Sequence, residues 1–354
     1  MEYSKYQVKR GDTLESIAEK YQMTGKELLA FHNSHSPVTQ QFFGDYLPIH
    51  INTVIIPPQK NKEEKRNIDH TAFEQKNRYR TEQLNITRIE DDVKTYSQLK
   101  KEYEVKVNLS QHWVQVKLCD FFYEFNPPGL SRVFDFVSEI DYIRNDCLVE
   151  IDKLGRFSKI ADKNKLKKNW EQFKKNKLNE IEFVKVIKQT KPQEYVKLIQ
   201  EGDFQFSDQY NDEKDYNRDL FYLTLLDRYL YNADENMERE EYTYQSQLFP
   251  DVLVPMTVRF DVLKKEEDLV TIRKVWETVQ SEELLEKVTK GYEKYHQPLI
   301  KYKFSEYKLD MRNLFTYNLK TRTLEKAELS IIENIENNIK SECIFNLKRL
   351  NNGG

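Results

Sequence analysis

Hydrophobic and polar residues alternate along much of the chain, and this spacing predicts β-strands. One alternating run covers residues 80–88, a second covers 103–109, and a third extends from Trp113 to Phe125. Residues 147–160 have the pattern of a hairpin, with Leu154-Gly155 near its turn. Because successive side chains of a strand point to opposite faces, each run would present one apolar face.

The spacing changes to that of helices in the middle of the chain. Three apolar residues recur at steps of four and three within residues 166–173, and leucines continue a helical pattern around residues 212–231. Alternating runs return after residue 240, one of them from Ile300 to Met311, with one further helical pattern at about 281–296. Strands, then helices, then strands indicate an α+β body over residues 76–350, with a mostly antiparallel sheet and central helices.

The first 60 residues carry signals for a strand, two helices and a second strand. A short strand at Tyr6–Val8 leads into a turn, where Gly11 supplies backbone freedom and Asp12 can cap the first helix. Thr24 and Glu27 have the spacing of a capping box, which begins the second helix. The remaining signals are Leu14, Ile17, Ala18 and Tyr21 for the apolar face of the first helix, Leu28, Leu29 and Phe31 for the core-facing side of the second, Asn33 at its end, and Val54-Ile55-Ile56 for the closing strand.

These residues resemble the LysM domain. The matching sequence segments are Tyr6-Gln7-Val8, Gly11-Asp12-Thr13-Leu14, Ile17-Ala18, Leu28, Asn33 and Ile55-Ile56-Pro57. The resemblance implies a βααβ fold over residues 5–58 that binds N-acetylglucosamine-containing glycans such as peptidoglycan or chitin. The family's groove lies between the loop after the first strand and the loop after the second helix. The implied binding residues are therefore Gly11, Asp12, Thr13, Leu14 and Asn33.

An insertion follows Asn33, where the family runs quickly to its closing strand. It reads SHSPVTQQFFGDYLPIHINT, and we add Phe42, Phe43 and Tyr46 to the candidate binding residues. An apolar insertion beside the groove suits a protein surface better than a network of sugar hydroxyls. The alternative that Gly11, Asp12 and Thr13 serve only as turn and cap residues stays open.

Composition limits the class of protein and its surroundings. Of 354 residues, 38% are apolar and 32% are charged, and a net charge of −3 argues against a general nucleic-acid binder. Three widely spaced cysteines fit buried thiols in a reducing compartment. The first residues lack the apolar segment of a secretory signal, so we expect a cytoplasmic protein unless another machine exports it. Residues 59–75 begin with a charged run and are predicted to be a linker.

The sequence contains none of the common catalytic or phosphate-binding motifs. GxSxG, HExxH, GxxxxGK[ST] and GxGxxG are all missing. His32, His35 and His50 have no spacing that defines a zinc site, and His32 and His35 are interpreted as polar residues at the end of the second helix. The lysine-rich residues 163–178 are expected to form a solvated helix face, with an acidic docking partner as the alternative. We therefore expect a protein that is not an enzyme and that needs no metal or cofactor.

Two functions remain as expectations. The layout of the whole chain is similar to that of proteins with an N-terminal LysM domain that are linked to PAAR-like spike proteins and type VI secretion. Sequence segments such as Tyr79-Arg80-Thr81-Glu82-Gln83-Leu84-Asn85 contribute to this resemblance. This resemblance implies an adaptor or structural component that docks a spike or baseplate-like protein. The alternative is a peptidoglycan-binding protein of the cell envelope.

Overall fold

A computed structural model describes residues 3–8, 12–21, 23–36, 41–42, 44, 47–48, 51, 53–56, 72–211, 213–228 and 240–350. The chain forms two compact units, Met1–Asp69 and His70–Gly354.

The first unit consists of two helices and a two-stranded antiparallel sheet. Its elements are β1 (Ser4–Gln7), α1 (Leu14–Lys20), α2 (Gly25–His35) and β2 (Thr53–Ile56). Strand β1 pairs with β2, with Tyr6 opposite Val54, so the predicted strands are neighbours. The small core contains Leu14, Ile17, Ala18, Leu28, Phe42, Ile51, Val54 and Ile56.

Two details of this unit differ from the sequence predictions. Helix α1 is capped by Thr13 instead of Asp12, because the Thr13 hydroxyl accepts a hydrogen bond from the Ser16 amide at 3.0 Å. Helix α2 continues past Asn33 to His35, and Thr24 and Glu27 form the predicted capping box at its start.

The second unit is built on one large sheet. Its strands are β3 (Gln75–Ile89), β4 (Asp92–Asn108), β5 (Trp113–Asn126), β6 (Asp146–Ile151), β7 (Phe157–Ile160), β8 (Glu240–Gln245), β9 (Leu253–Glu266), β10 (Leu269–Thr278), β11 (Tyr307–Asn318), β12 (Thr323–Ile335) and β13 (Ile339–Leu350). Its helices are α3 (Ser131–Arg144), α4 (Lys163–Asn176), α5 (Glu182–Thr190), α6 (Pro192–Gln205), α7 (Glu213–Arg218), α8 (Leu220–Leu225), α9 (Glu282–Tyr295) and α10 (Gln297–Ile300).

The eleven strands form two antiparallel meanders that join at β3 and β13. The strand order is β7-β6-β5-β4-β3-β13-β12-β11-β10-β9-β8. This arrangement and the helices between the strands confirm the predicted α+β class. Strands β7 and β8 lie at opposite edges of the sheet, yet Arg156 beside β7 contacts the Glu240 carboxylate of β8. This contact shows that the sheet is strongly curved.

The two faces of the sheet differ in chemistry. We call the face that carries Tyr79, Tyr103 and Phe345 the inner face, and these three side chains are buried. The stripe Leu166, Trp170 and Phe173 of α4 is buried in the same apolar core, as its spacing predicts. The outer face carries ion pairs between neighbouring strands.

Two other predictions need correction. The single helix expected around residues 212–231 is two short helices, because Asp219 caps α8 by accepting a hydrogen bond from the Phe221 amide at 2.9 Å. Its last residues, 229–231, lie outside the described ranges. The strand expected from Ile300 onward begins only at Tyr307, after the short helix α10.

Candidate functional site

The turn between β1 and α1 is fixed by a cluster of three polar side chains. The Tyr6 hydroxyl donates to Asp12 Oδ2 at 2.8 Å, and Lys20 Nζ lies 3.0 Å from Asp12 Oδ1. Lys20 also donates to the Tyr6 hydroxyl at 2.8 Å, and these hydrogen bonds to Tyr6 and Asp12 raise the pKa of Lys20. Both carboxylate oxygens of Asp12 therefore hold the turn in place.

Thr13 and Leu14 follow in this turn. Ser16 Oγ accepts from the Thr13 amide at 2.8 Å, which completes a reciprocal cap with Ser16. The Thr13 hydroxyl accepts one hydrogen bond in this cap, so its own hydrogen can be donated to a ligand. Leu14 is buried, and its side chain serves the core.

Asn33 holds the start of the insertion. Its Nδ2 donates to the Phe42 carbonyl at 2.7 Å, and its Oδ1 accepts from the Phe42 amide at 3.2 Å. The Phe42 ring is buried against His32, with 5.2 Å between the ring centroids. The predicted binding residue Phe42 is thus covered by the domain itself. Gly11, Phe43 and Tyr46 lie outside the described residues.

His32 is a core residue that the sequence interpretation placed among the polar residues of the helix end. It is fully buried, and its Nδ1 accepts a hydrogen bond from the Ile55 amide of β2 at 2.9 Å. The neutral ring therefore carries its hydrogen on Nε2. The sequence does contain a signal for the burial of His32. It lies four residues after the buried Leu28, and residues four apart share a helix face.

A partly exposed aromatic cluster at the C-terminal end of α2 was also missed. Phe31 stacks on His35 with 4.3 Å between the ring centroids, and the exposed Tyr3 lies 5.8 Å from His35. The sequence interpretation assigned Phe31 to the core instead. Phe31 and His35 are four residues apart, so they meet on one face of the helix.

A cavity of about 610 Å³ in the second unit lies between β8 and the helices α7 and α8. Several charged groups around it form ion pairs. Lys274 Nζ lies 2.8 Å from Asp227 Oδ1, and Arg228 and Arg156 both contact Glu240. Such pairing keeps the charges satisfied in the interior, where an isolated charge is very unfavourable.

Lysines of the lysine-rich segment form ion pairs within the unit, and two of the three cysteines are buried. Acidic partners within the unit pair with Lys165, Lys174 and Lys177. The expectation of buried thiols is correct for two of the three cysteines. Burial raises the pKa of Cys147 to about 11 and that of Cys343 to about 12, which leaves both unreactive.

Cys119 is exposed, in contrast to the prediction that it is buried. The pairing of β5 with β4 shifts register here, since Leu118 lies opposite Tyr103 while Asp120 lies opposite Glu102. Cys119 is therefore the extra residue of a β-bulge, a feature that alternation in the sequence does not reveal.

Neither a metal site nor a membrane span is found in the described parts of the chain. No three His, Cys, Asp or Glu side chains there are grouped so that they could hold a metal ion. None of the helices in those ranges is both long enough and apolar enough to cross a bilayer.

Comparison with known proteins identifies the first unit. The LysM family model matches residues 6–31, which include the last two residues of β1, the turn with Asp12 and Thr13, helix α1 and most of α2. The N-terminal unit contains a LysM domain. LysM is a binding domain for peptidoglycan and related glycans, not a catalytic one. No curated protein shows significant sequence similarity to the chain.

A solved structure of lipovitellin, described as "Lipid-protein interactions in lipovitellin", is similar to the chain only in outline. Its TM-score is 0.35 at 9% identity, over 78% of this chain. The chain spans about a quarter of the lipovitellin chain, at 25%. A TM-score this low does not indicate a common fold.

Proposed function

We propose that the chain is a non-catalytic binding protein whose LysM domain binds N-acetylglucosamine-containing glycan, with peptidoglycan as the ligand. The observation that carries this proposal is the family match over residues 6–31, together with the turn that it contains. Asp12, Tyr6 and Lys20 hold that turn in one conformation, which reduces the entropy lost on binding.

Within the turn, Thr13 has the group best placed to reach a ligand. Its hydroxyl hydrogen can be donated to a sugar oxygen or to an acetamido carbonyl, while its oxygen keeps the helix cap. Asp12 acts through the turn, because Lys20 and Tyr6 already bind its carboxylate. Asn33 acts similarly, since its amide holds the backbone of Phe42.

The test is co-sedimentation of the full chain with purified peptidoglycan. Asp12→Ala releases the turn, and Thr13→Ala removes both the cap and the donor. Thr24→Ala is the matched control, since Thr24 caps α2 with the same geometry. Each cap substitution lowers domain stability by about 1 kcal/mol.

We expect Asp12→Ala and Thr13→Ala to abolish sedimentation and Thr24→Ala to retain it. Thr13→Ser should also retain it, because serine keeps the hydroxyl. A wild-type chain that does not sediment with peptidoglycan contradicts glycan binding. If Thr13→Ala and Thr24→Ala reduce co-sedimentation equally, the loss reflects lower domain stability and not a role of the turn in binding.

A more specific proposal is that the chain is an adaptor in a contractile injection or type VI secretion apparatus. The chain would join this apparatus in the cytoplasm. This proposal is supported by the sequence resemblance around Tyr79–Asn85, which forms part of β3. Affinity purification of the full chain from its own host tests it. Recovery of a spike or baseplate-like protein at fixed stoichiometry supports the adaptor role, and recovery of wall fragments without such a protein contradicts it.

A further inference from the structure

A band of neutral polar side chains crosses the inner face of the large sheet. We call it the neutral strip. It consists of Gln83, Asn85 and Thr87 of β3, Thr95 and Ser97 of β4, and Ser341 of β13. All six are partly exposed, whereas Tyr79 and Thr81, earlier on the same face of β3, are buried.

The strand register places these side chains next to each other. Asn85 lies opposite Ser97 on one side and opposite the buried Cys343 on the other. Thr87 lies between Thr95 and Ser341 in the same way. The strip is thus a continuous surface across three strands, which is about 10 Å wide at the usual spacing between strands.

The strip differs from the outer face of the same strands, which carries ion pairs between neighbouring strands. On that face Arg80 lies 2.6 Å from Glu102, and Arg88 lies 2.9 Å from Glu342. The six side chains of the strip, in contrast, include no charged group.

Hydrogen bonds within the strip orient its amides. Gln83 Nε2 donates to Asn85 Oδ1 at 2.9 Å, and Asn85 Nδ2 donates to Ser97 Oγ at 2.9 Å. At the far side, Ser341 Oγ donates to Gln247 Oε1 at 3.0 Å. Each amide has two N–H donors and an oxygen with two lone pairs, so these bonds leave capacity for a ligand on both amides.

The strip leads into a cavity of about 180 Å³. Gln83 and Leu99 line this cavity together with Leu220 and Phe221 of α8. The charged residues Lys101, Arg218 and Asp219 line it as well. Tyr123 of β5 lies directly opposite Leu99, so an aromatic ring borders the strip on this side. The surface combines neutral hydrogen-bonding groups with an aromatic border.

The position of the strip determines which ligand chemistry it fits. Strands β4, β3 and β13 each have a neighbour on both sides in the sheet, so their backbone groups are used in the ladder. An extended peptide would find no strand edge to pair with here. A ligand must be recognised by side chains, and those of the strip are neutral donors and acceptors.

Two charged groups next to the strip already have partners within the unit. Lys101 lies 2.6 Å from Asp141, and the buried Glu333 carboxylate accepts hydrogen bonds from protein donors, including the Tyr307 hydroxyl at 2.9 Å. A charged ligand would therefore gain little from them. A neutral, hydroxyl-rich ligand matches both the amides and the aromatic border.

We propose that the neutral strip binds a neutral oligosaccharide. This site lies in the second unit and does not depend on the LysM domain or on its ligand. The chain would then hold two separate saccharide sites, one in each unit.

The test begins with a panel of neutral tetrasaccharides, including chitotetraose and cellotetraose, titrated into the full chain by calorimetry. Asn85→Ala and Gln83→Ala remove the amides of the strip. Gln98→Ala is the matched control, because Gln98 is an amide on the same strand as Ser97 but on the outer face. Asn346→Ala is a second control, on the outer face of β13.

We expect a tetrasaccharide to bind, with affinity about tenfold lower in each strip variant and unchanged in both controls. The titration is repeated with Asp12→Ala, which should leave binding to the strip intact even if the LysM domain binds no glycan. The proposal is overturned if no neutral tetrasaccharide binds, or if binding survives both strip substitutions. Unfolding temperatures of all variants exclude loss of the fold as the cause.

Discussion

Replacing Glu333 tests how the curved sheet is held together. This residue of β12 is completely buried, and its carboxylate accepts four hydrogen bonds. The donors are Ser246 Oγ at 2.5 Å, the amides of Gln247 and Leu248 at 2.7 and 3.3 Å, and the Tyr307 hydroxyl at 2.9 Å. One side chain thus fastens the segment after β8 onto β12.

The structure gives the size of the expected effect. Glu333→Ala leaves the buried N–H group of Leu248 and the partly buried N–H group of Gln247 without an acceptor, at about 1–3 kcal/mol for a buried group. With the cavity that it creates, we expect the free energy of unfolding to fall by about 3–5 kcal/mol. Glu333→Gln keeps the shape, and its amide oxygen can face the two N–H groups while its NH₂ faces the hydroxyls of Ser246 and Tyr307. Its loss should stay below about 1.5 kcal/mol.

The pH dependence gives a second, independent readout. Burial raises the pKa of Glu333, and the hydrogen bonds from Ser246 and its neighbours oppose that rise only in part. The folded chain therefore binds the proton at a higher pH than the unfolded chain does. The stability that this proton contributes is lost as the pH rises above about 4.3, the ordinary value for Glu. Glutamine has no such proton, so the stability gap between wild type and Glu333→Gln should be larger at pH 5 than at pH 7.

Urea unfolding followed by tryptophan fluorescence measures these differences. All three tryptophans, Trp113, Trp170 and Trp276, lie in the second unit, so the signal reports that unit alone. A loss of less than about 1 kcal/mol in Glu333→Ala would refute the fastening role. If the difference in unfolding free energy between wild type and Glu333→Gln becomes larger toward pH 7, the argument that burial raises the pKa of Glu333 is refuted.

Three further predictions concern packing, a buried hydrogen bond and thiol reactivity. Gly202→Ala should destabilise the second unit by at least about 1–3 kcal/mol, because the new Cβ would lie 2.3 Å from Trp170 Cζ2. Gly129→Ala, with no atom within 4 Å of its Cβ, should change the urea midpoint little. His32→Leu leaves the Ile55 amide without its acceptor, so hydrogen exchange at that amide should accelerate, whereas an unchanged rate would contradict the bond. Ellman's reagent should titrate one thiol in the native chain and three in denaturant, and fast native reaction of a second thiol would contradict the burial of the other two.

Local signals account for the parts of the fold that the sequence predicts well. The spacing of Leu166, Trp170 and Phe173 lies within one helix, and it identifies both the helix and its buried face. The capping box of Thr24 and Glu27 is equally local, because its bonds join residues three positions apart. Signals of this kind need no knowledge of the rest of the chain.

Features that depend on distant partners were missed. The interpretation of His32 as a polar helix-end residue was wrong because its acceptor role depends on Ile55, which is 23 positions away. Cys119 appeared to be buried because the bulge that turns it outward is set by the pairing of β5 with β4. In both cases the type of residue suits more than one environment, and tertiary pairing decides between them.

The strand β3 shows why the neutral strip could not be found from alternation. One face of its sequence carries Leu84 and Ile86 among charged residues, and the other carries Tyr79, Gln83 and Asn85 among polar ones, so both faces are mixed. A shift of one residue in register would exchange the two faces, and the choice depends on the pairing of β3 with both β4 and β13. Pairing turns Gln83 and Asn85 toward the interior of the curved sheet and leaves Leu84 and Ile86 on the outer face. Only the pairing of β3 with both of its neighbours therefore shows that its amides share one surface with Ser97 and Ser341.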